Sequence, residues 1–299
     1  MIEPLLPTLI IASSFLVGCV IFALDESRTR LRTVLNIGVA LIKVALVVWM
    51  ASGVLDGVPY ENRLAMLPGI DLVLKADALS LLLVTLSSVL WLLTTIYAVG
   101  YLEHAPHRSR FFAFFSLCVS ATTGIALAGN VFTFIFFYEL LTLSTYPLVV
   151  HRGTPNALRG GRVYLTYTLA GGVALLVGGV WLTAVAGTTE FVPGGFVAHL
   201  VATDRGSLMA IFTLMAVGLA VKAAIVPLHG WLPIAMVAPA PVSALLHAVA
   251  VVKAGAFGIV RLVYDVFGVE TVEALGVDSP LAAAAAATIL YGSVRALRE

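Results

Sequence analysis

Nine runs of about twenty apolar residues follow one another along the chain, and this leaves few folds open. A helix of that length spans the hydrocarbon core of a bilayer, and inside lipid the backbone can bond to itself only as a helix or a closed barrel. The runs fall at 5–24, 33–54, 79–100, 111–129, 131–150, 163–186, 207–227, 241–264 and 280–296. The chain is 61% hydrophobic and 11% charged with a mean hydropathy of +1.05. A soluble domain carries about 25% charged residues, so the expectation is an all-α polytopic membrane protein with about nine transmembrane helices.

Between the runs, residues 55–77 are polar enough to lie outside the membrane as a small hairpin, and 190–206 form a second loop with a short amphipathic helix. Only the "AGN" turn at 128–130 separates the fourth run from the fifth. If alternate loops share a side, ten of the 17 basic residues fall in one set, from Arg28 through Arg110 and Arg152 to Arg298, and four fall in the other: Arg63, Lys75, Arg205 and Arg261. Basic loops face the cytoplasm, which predicts an outside N-terminus and a cytoplasmic C-terminal end for this segment. The first run has no basic residues ahead of it and no clear cleavage site, so it reads as a retained helix. Small-residue stretches such as "LAGGVALLVGGV" at 169–180 and "LAAAAAATIL" at 281–290 read as helix-packing faces. Cys19 and Cys118 lack any ligand spacing and read as buried core residues.

Away from the ends of the runs, four charged groups other than histidine fall inside them: Lys43, Glu139, Lys222 and Lys253. A lysine at the centre of a membrane helix costs roughly 3 kcal/mol, so such groups face a bundle interior or a wet cavity and mark function by default. A purely structural ion pair is the alternative, but one acid faces three lysines. Opening and closing a carboxylate–ammonium pair about 4 Å apart changes their interaction by about 4 kcal/mol at an effective dielectric near 20, enough to load and unload a proton. Pro227, Pro233, Pro239 and Pro241 follow Lys222 closely and break the seventh helix. Broken helices at membrane depth line cavities or ion sites. His229 and His247 flank the break and could extend a proton path, or could equally be satisfied core residues. Lys43 could snorkel, pair with a neighbouring subunit or join the path; a subunit interface or a structural pairing is favoured. No GxxxxGKS, GxGxxG, HExxH or cysteine cluster is present, so neither a cofactor nor a metal is expected. A net charge of +1 gives no reason to expect nucleic acid as a partner.

The segments "LVLKADALSLLL" (72–83), "FFAFFSLCVSATTGIALAGNVFTFIFFYELLTLSTYPLV" (111–149) and "VKAAIVPLHGWLPIAMVAPAPVSALLHAVAVVKAGAFGIVR" (221–261) resemble the antiporter-like proton-translocating membrane subunits. That family comprises the large membrane-arm subunits of respiratory complex I, their membrane-bound hydrogenase counterparts, and the A-type and D-type components of Mrp-type cation/proton antiporters. The resemblance implies that Glu139 is the fifth-helix glutamate paired with the seventh-helix lysine, Lys222, and that Lys253 is the eighth-helix lysine passing protons on. It also implies that His247 lies on the hydrated path, whereas Lys43 matches no family residue. "VVKAGAFGIVR" looks closer to the Mrp D-type and hydrogenase-type members.

The implied layout is an N-terminal three-helix region with an external loop at 1–110, one five-helix antiporter-like repeat at 111–264, and the start of a second, truncated repeat at 265–299. Family members carry two such repeats, so the sequence reads either as a fragment holding one half-channel, the favoured reading, or as a chain whose other half comes from a separate one. The resemblance implies a proton-translocating subunit of a multi-subunit cation/proton (Na+/H+) antiporter, in the plasma membrane with other membrane subunits, working through Glu139, Lys222, Lys253 and His247, to which the residues flanking the break add His229. The alternatives are a redox-driven pump subunit of complex I or a hydrogenase, and a structural membrane anchor.

Overall fold

The computed structural model describes residues 5–67, 70–245 and 249–298. Two long helices come first, α1 (Leu6–Phe22) and α2 (Thr29–Leu55), followed by an antiparallel hairpin of β1 (Tyr60–Leu67) and β2 (Ile70–Ala76). Next come α3 (Ala78–Tyr101), α4 (Arg108–Ala126), α5 (Val131–Val149), α6 (Pro155–Ala186) and α7 (Val201–Lys222). Two five-residue helices follow, α8 (Trp231–Ala235) and α9 (Ala240–Ala244), and then α10 (Val251–Arg261), α11 (Val269–Leu275) and α12 (Asp278–Arg298).

Local chemistry sets the boundaries. The side chains of Asp77, Asn130 and Thr154 accept hydrogen bonds from the first-turn amides of Ser80, Thr133 and Ala157 and so start α3, α5 and α6. Gly187, at φ +69°, ends α6 in the left-handed conformation that glycine adopts without strain. The hairpin at 60–76 matches the polar loop expected from sequence.

Among the described residues, seven helices are long and apolar enough to cross a membrane, and α1 is a shorter apolar helix. The nine expected spans are therefore not all recovered. The eighth differs most: within 241–264 the described residues form two helices, α9 and α10, and Ala250, just before α10, is non-helical at φ −122° and ψ −80°. A π-turn over Leu262–Phe267 follows α10. The prolines after Lys222 thus mark a break that extends well beyond the seventh helix.

The core lies along α4, whose apolar window is 83% buried, while α12 has no buried residue. The glycines of α6 act as a packing face as expected. A Cβ on Gly171 or Gly218 would strike the backbone of the opposite helix, so α6 and α7 touch main chain to main chain. The alanine run of α12 does not behave this way and buries none of its residues. Cys118 is buried, but Cys19 is exposed, contrary to the expectation of a core residue.

The loops fall at two ends, as the alternation of basic residues requires. At one end the hairpin, the 128–130 turn, the loop after α6 and the turn after α10 join through Lys75 N–Leu127 O, Gly129 N–Val73 O, Phe191 N–Gly129 O and Val192 N–Asp265 O bonds. At the other end Arg32 donates to Ser109 Oγ at 2.8 Å and Arg110 to the His151 carbonyl at 3.0 Å.

Candidate functional site: a buried lysine at a broken helix

α7 stops at Lys222. Ala224 takes a φ of +56°, and Pro227 lacks the amide that another turn would need. The ends so freed are satisfied in specific ways. Trp231, wholly buried, donates its indole Nε1–H to the Val221 carbonyl at 2.7 Å, and the Val226 amide donates to Thr288 Oγ1 of α12 at 3.0 Å. The terminal carbonyls of a helix carry partial negative charge, so a cation belongs at this position.

The Lys222 side chain is fully buried. Its ammonium donates to the Tyr138 carbonyl of α5 and lies 3.3 Å from the centroid of the Tyr138 ring. Tyr138 also donates its hydroxyl to the Gly218 carbonyl at 3.2 Å, one turn before Lys222, and so ties α5 to α7 beside the charge. Glu139 is the next residue. Its Oε1 is buried without a hydrogen-bond partner, and its carboxylate rests on Gly172 of α6, where any Cβ would collide with it. Glu139 and Lys222 are near enough to interact electrostatically but do not touch. The fold therefore brings together the acid and the base expected as a pair, in an open arrangement with the lysine parked on a carbonyl. A carboxylate oxygen with no donor and an ammonium within electrostatic reach are groups that exchange a proton once brought to hydrogen-bond distance, directly or through one water.

The remaining expected site residues lie less close. His229, in the short turn after the break, is half-buried with Nδ1 unpartnered, and its ring packs on Tyr291 of α12 with centroids 4.8 Å apart. Lys253 is exposed on α10. The residue that docks α10 onto the end of α7 is Gly255, against the backbone of Leu219 and Lys222. His247 lies outside the described residues. Lys43 is fully buried within its own chain, which removes the subunit interface as its setting; it pairs with hydroxyls.

Two site residues are not marked by charge in the sequence. Tyr138 is one of several aromatics in "FIFFYELL", and nothing in that run singles it out. Trp231 could have been found, because an indole just after a helix-breaking proline is a ready donor for an orphaned carbonyl.

A second charged network sits at the hairpin end. Arg261, 2% exposed, reaches both oxygens of Asp77 (Nη1 2.7 Å, Nη2 2.9 Å), Asp265 at 2.7 Å and Ser80 Oγ at 2.8 Å. Burial works against ionising Asp77, yet the Arg261 guanidinium outweighs it and holds the carboxyl below the usual range. In sequence Arg261 is a loop charge; in the fold it clamps α3 to α10.

The family model described as "NADH:quinone oxidoreductase/Mrp antiporter, TM" matches residues 128–299, and that of the complex I chain 5 N-terminus matches 68–112. A protein of Staphylococcus epidermidis named "Putative antiporter subunit mnhA2" is 33% identical over 79% of this chain and 29% of its own length. The L-type component of the NADH-quinone oxidoreductase of Mycobacterium tuberculosis is 35% identical over 64% of this chain and 30% of its own. In solved structures, a chain of the Mrp complex from Dietzia sp. DQ12-45-1b superposes with a TM-score of 0.73 at 27% identity, covering 88% of this chain and 48% of that one. The chain thus spans less than a third of the length of the first two relatives. It belongs to the multi-pass membrane-subunit family shared by NADH:quinone oxidoreductases and Mrp antiporters.

Proposed function

We propose that this chain is a proton-translocating part of a multi-subunit cation/proton antiporter, with Glu139 and Lys222 as the central exchange pair and Lys253 as the onward carrier. The observation that carries this reading is the state of Lys222: a fully buried ammonium at a broken helix end, held by a backbone carbonyl while the neighbouring carboxylate has an unsatisfied oxygen. A structural ion pair would close that contact, because breaking a buried pair is expensive. Here it is open, as a group that must alternate between partners requires.

On this reading the pair closes when Lys222 swings from the Tyr138 carbonyl to Glu139, and opens when its proton is passed on. Gly172 keeps room for the carboxylate. Lys253, exposed on α10, suits transfer to whatever covers that face, and His229 stands beside the break. The arginine-bearing end lies in the cytoplasm and the hairpin end outside, following the positive-inside rule. The likeness to an NADH-quinone oxidoreductase component favours a second reading, the same relay driven by redox chemistry elsewhere in a complex.

The test is proton flux in everted vesicles carrying the full-length protein in its complex with Lys222→Ala, with assembly checked by blotting. Intact assembly with collapsed flux is the expected outcome, whereas normal flux would make the lysine a structural anchor. Sodium-dependent exchange separates the antiporter from a quinone-coupled or hydrogen-coupled pump.

A further inference from the structure

The Glu139–Lys222 site leaves one fully buried charge unused. Lys43, midway along α2, donates to Ser14 Oγ of α1 at 2.9 Å and to Thr123 Oγ1 of α4 at 2.6 Å, and lies 5.3 Å from the Trp91 ring centroid of α3. All four side chains are sealed from the surface. No carboxylate forms an ion pair with it among the described residues. α2 has no break at this point, so Lys43 has no helix end to counter its charge.

The packed faces of α2, α3 and α4 around it hold an unusual concentration of unpartnered polar atoms. Of the eleven buried side-chain nitrogens and oxygens without a hydrogen bond among the described residues, six lie here: Arg32 Nη2, Asn36 Oδ1, Ser88 Oγ, Trp91 Nε1, Thr95 Oγ1 and Ser116 Oγ. Their order along the helices gives a direction. Arg32 is three turns from Lys43, roughly 16 Å. Asn36 is one turn in from Arg32, Ser116 is two turns from Thr123 towards the same end, and Thr95 is one turn from Trp91 towards it on the antiparallel α3; Ser88 alone lies beyond Trp91, on the hairpin side. Buried polar groups are satisfied by protein or by ordered water that makes about three bonds each. Unpartnered polar groups aligned towards a buried lysine are the groups that ordered water would bond.

We propose that Lys43 is a second proton-carrying station, reached by water from the Arg32 end of the α1–α4 bundle and separate from the Glu139–Lys222 pair. The proposal rests on the proton-translocating function given above. In loading, the Lys43 amine takes a proton from a hydronium of that water, forming an N–H bond and leaving neutral water; release is the reverse. The other ionisable side chains of α1–α4 do not compete for the site. Cys19, Tyr97 and Tyr101 are exposed, Cys118 bonds Thr145 of α5, and the arginines lie at the basic end, where Arg32 is 3.6 Å from Glu26.

The test uses the full-length protein in its assembled complex in everted vesicles, with Lys222→Ala as the reference. Lys43→Met and Lys43→Arg should both assemble and both lower proton flux, roughly tenfold, because arginine keeps the charge but does not release its proton. In a Cys19→Ser background with Lys43 intact, Asn36→Cys should react with a small membrane-impermeant thiosulfonate, while Leu41→Cys, on the outer face of α2, should not. Wild-type flux in Lys43→Arg, or an unreactive Asn36→Cys, overturns the proposal and makes Lys43 a brace. If neither Lys43 variant assembles, the Asn36→Cys labelling decides alone. If the Lys222→Ala complex keeps full flux, it is the function proposed above that fails.

Discussion

Lys222 and Lys253 lie in neighbouring parts of one sequence motif, yet the fold treats them in opposite ways. Lys222 is sealed between α5, α6 and the broken end of α7, whereas Lys253 stands exposed on α10. The difference comes from glycine placement. α10 meets α7 through Gly255, where any side chain would strike the Leu219 and Lys222 backbone, and a residue two positions away points to nearly the opposite face. A charge within an apolar run therefore signals a function, while the small residues beside it decide which way the charge looks.

The largest effect tests that contrast directly. Glu139→Gln should abolish flux as Lys222→Ala does, a loss on the order of a hundredfold, with assembly preserved. Lys253→Ala should match it if the exposed lysine is the onward carrier. Should Lys253→Ala transport normally while the other two fail, the relay ends at Lys222 and the exposed position is a surface charge.

A smaller effect, on stability, probes what holds α10 at the angle that turns Lys253 outward. Asp77→Asn removes the carboxylate charge from a buried arginine, and unfolding in detergent should show a loss of about 3 kcal/mol, reduced by the partial exposure of Asp77. A double-mutant cycle with Arg261→Gln should then show strong coupling. Next in size is Trp231→Phe, which keeps the ring against Tyr164 but leaves the Val221 carbonyl without its donor. A loss of about 1 kcal/mol is expected, with flux reduced and not abolished.

Much of this fold is legible in the residues. Periodic apolar length marks the long helices, the polar stretch at 55–77 forms the hairpin, and the alternation of basic loops matches the two ends that the backbone bonds define. The prolines after Lys222 announce the break. Other features depend on contacts that hydropathy does not carry. "SALLHAVAVVKAGAFGIVR" is apolar enough to read as part of a span, so the interruption near Ala250 leaves no mark in it. Lys43 and Lys222 look alike in sequence, and only packing shows that one sits among hydroxyls in unbroken helices and the other at a helix end beside a carboxylate. Arg261 reads as a loop charge until Asp77 and Asp265 are seen on either side of it.

The smallest predicted effect concerns α12, the region least like α4. With no buried residue, this helix meets the break at Thr288, whose Oγ1 accepts from the Val226 amide, and at Tyr291, which packs against His229. An interhelical hydrogen bond inside a membrane contributes about 0.6 kcal/mol on average. Thr288→Val, which keeps the shape and removes the acceptor, should therefore cost about that much in the stability of the assembled complex. Thr288→Ser should restore it. The loss should be concentrated at the break, because Thr288 is the acceptor the Val226 amide uses, and it should be read as faster hydrogen exchange at Val226 than at the first turns of α7. Exchange that is unchanged at Val226 in Thr288→Val would show that α12 only lies beside the broken helix and does not hold it.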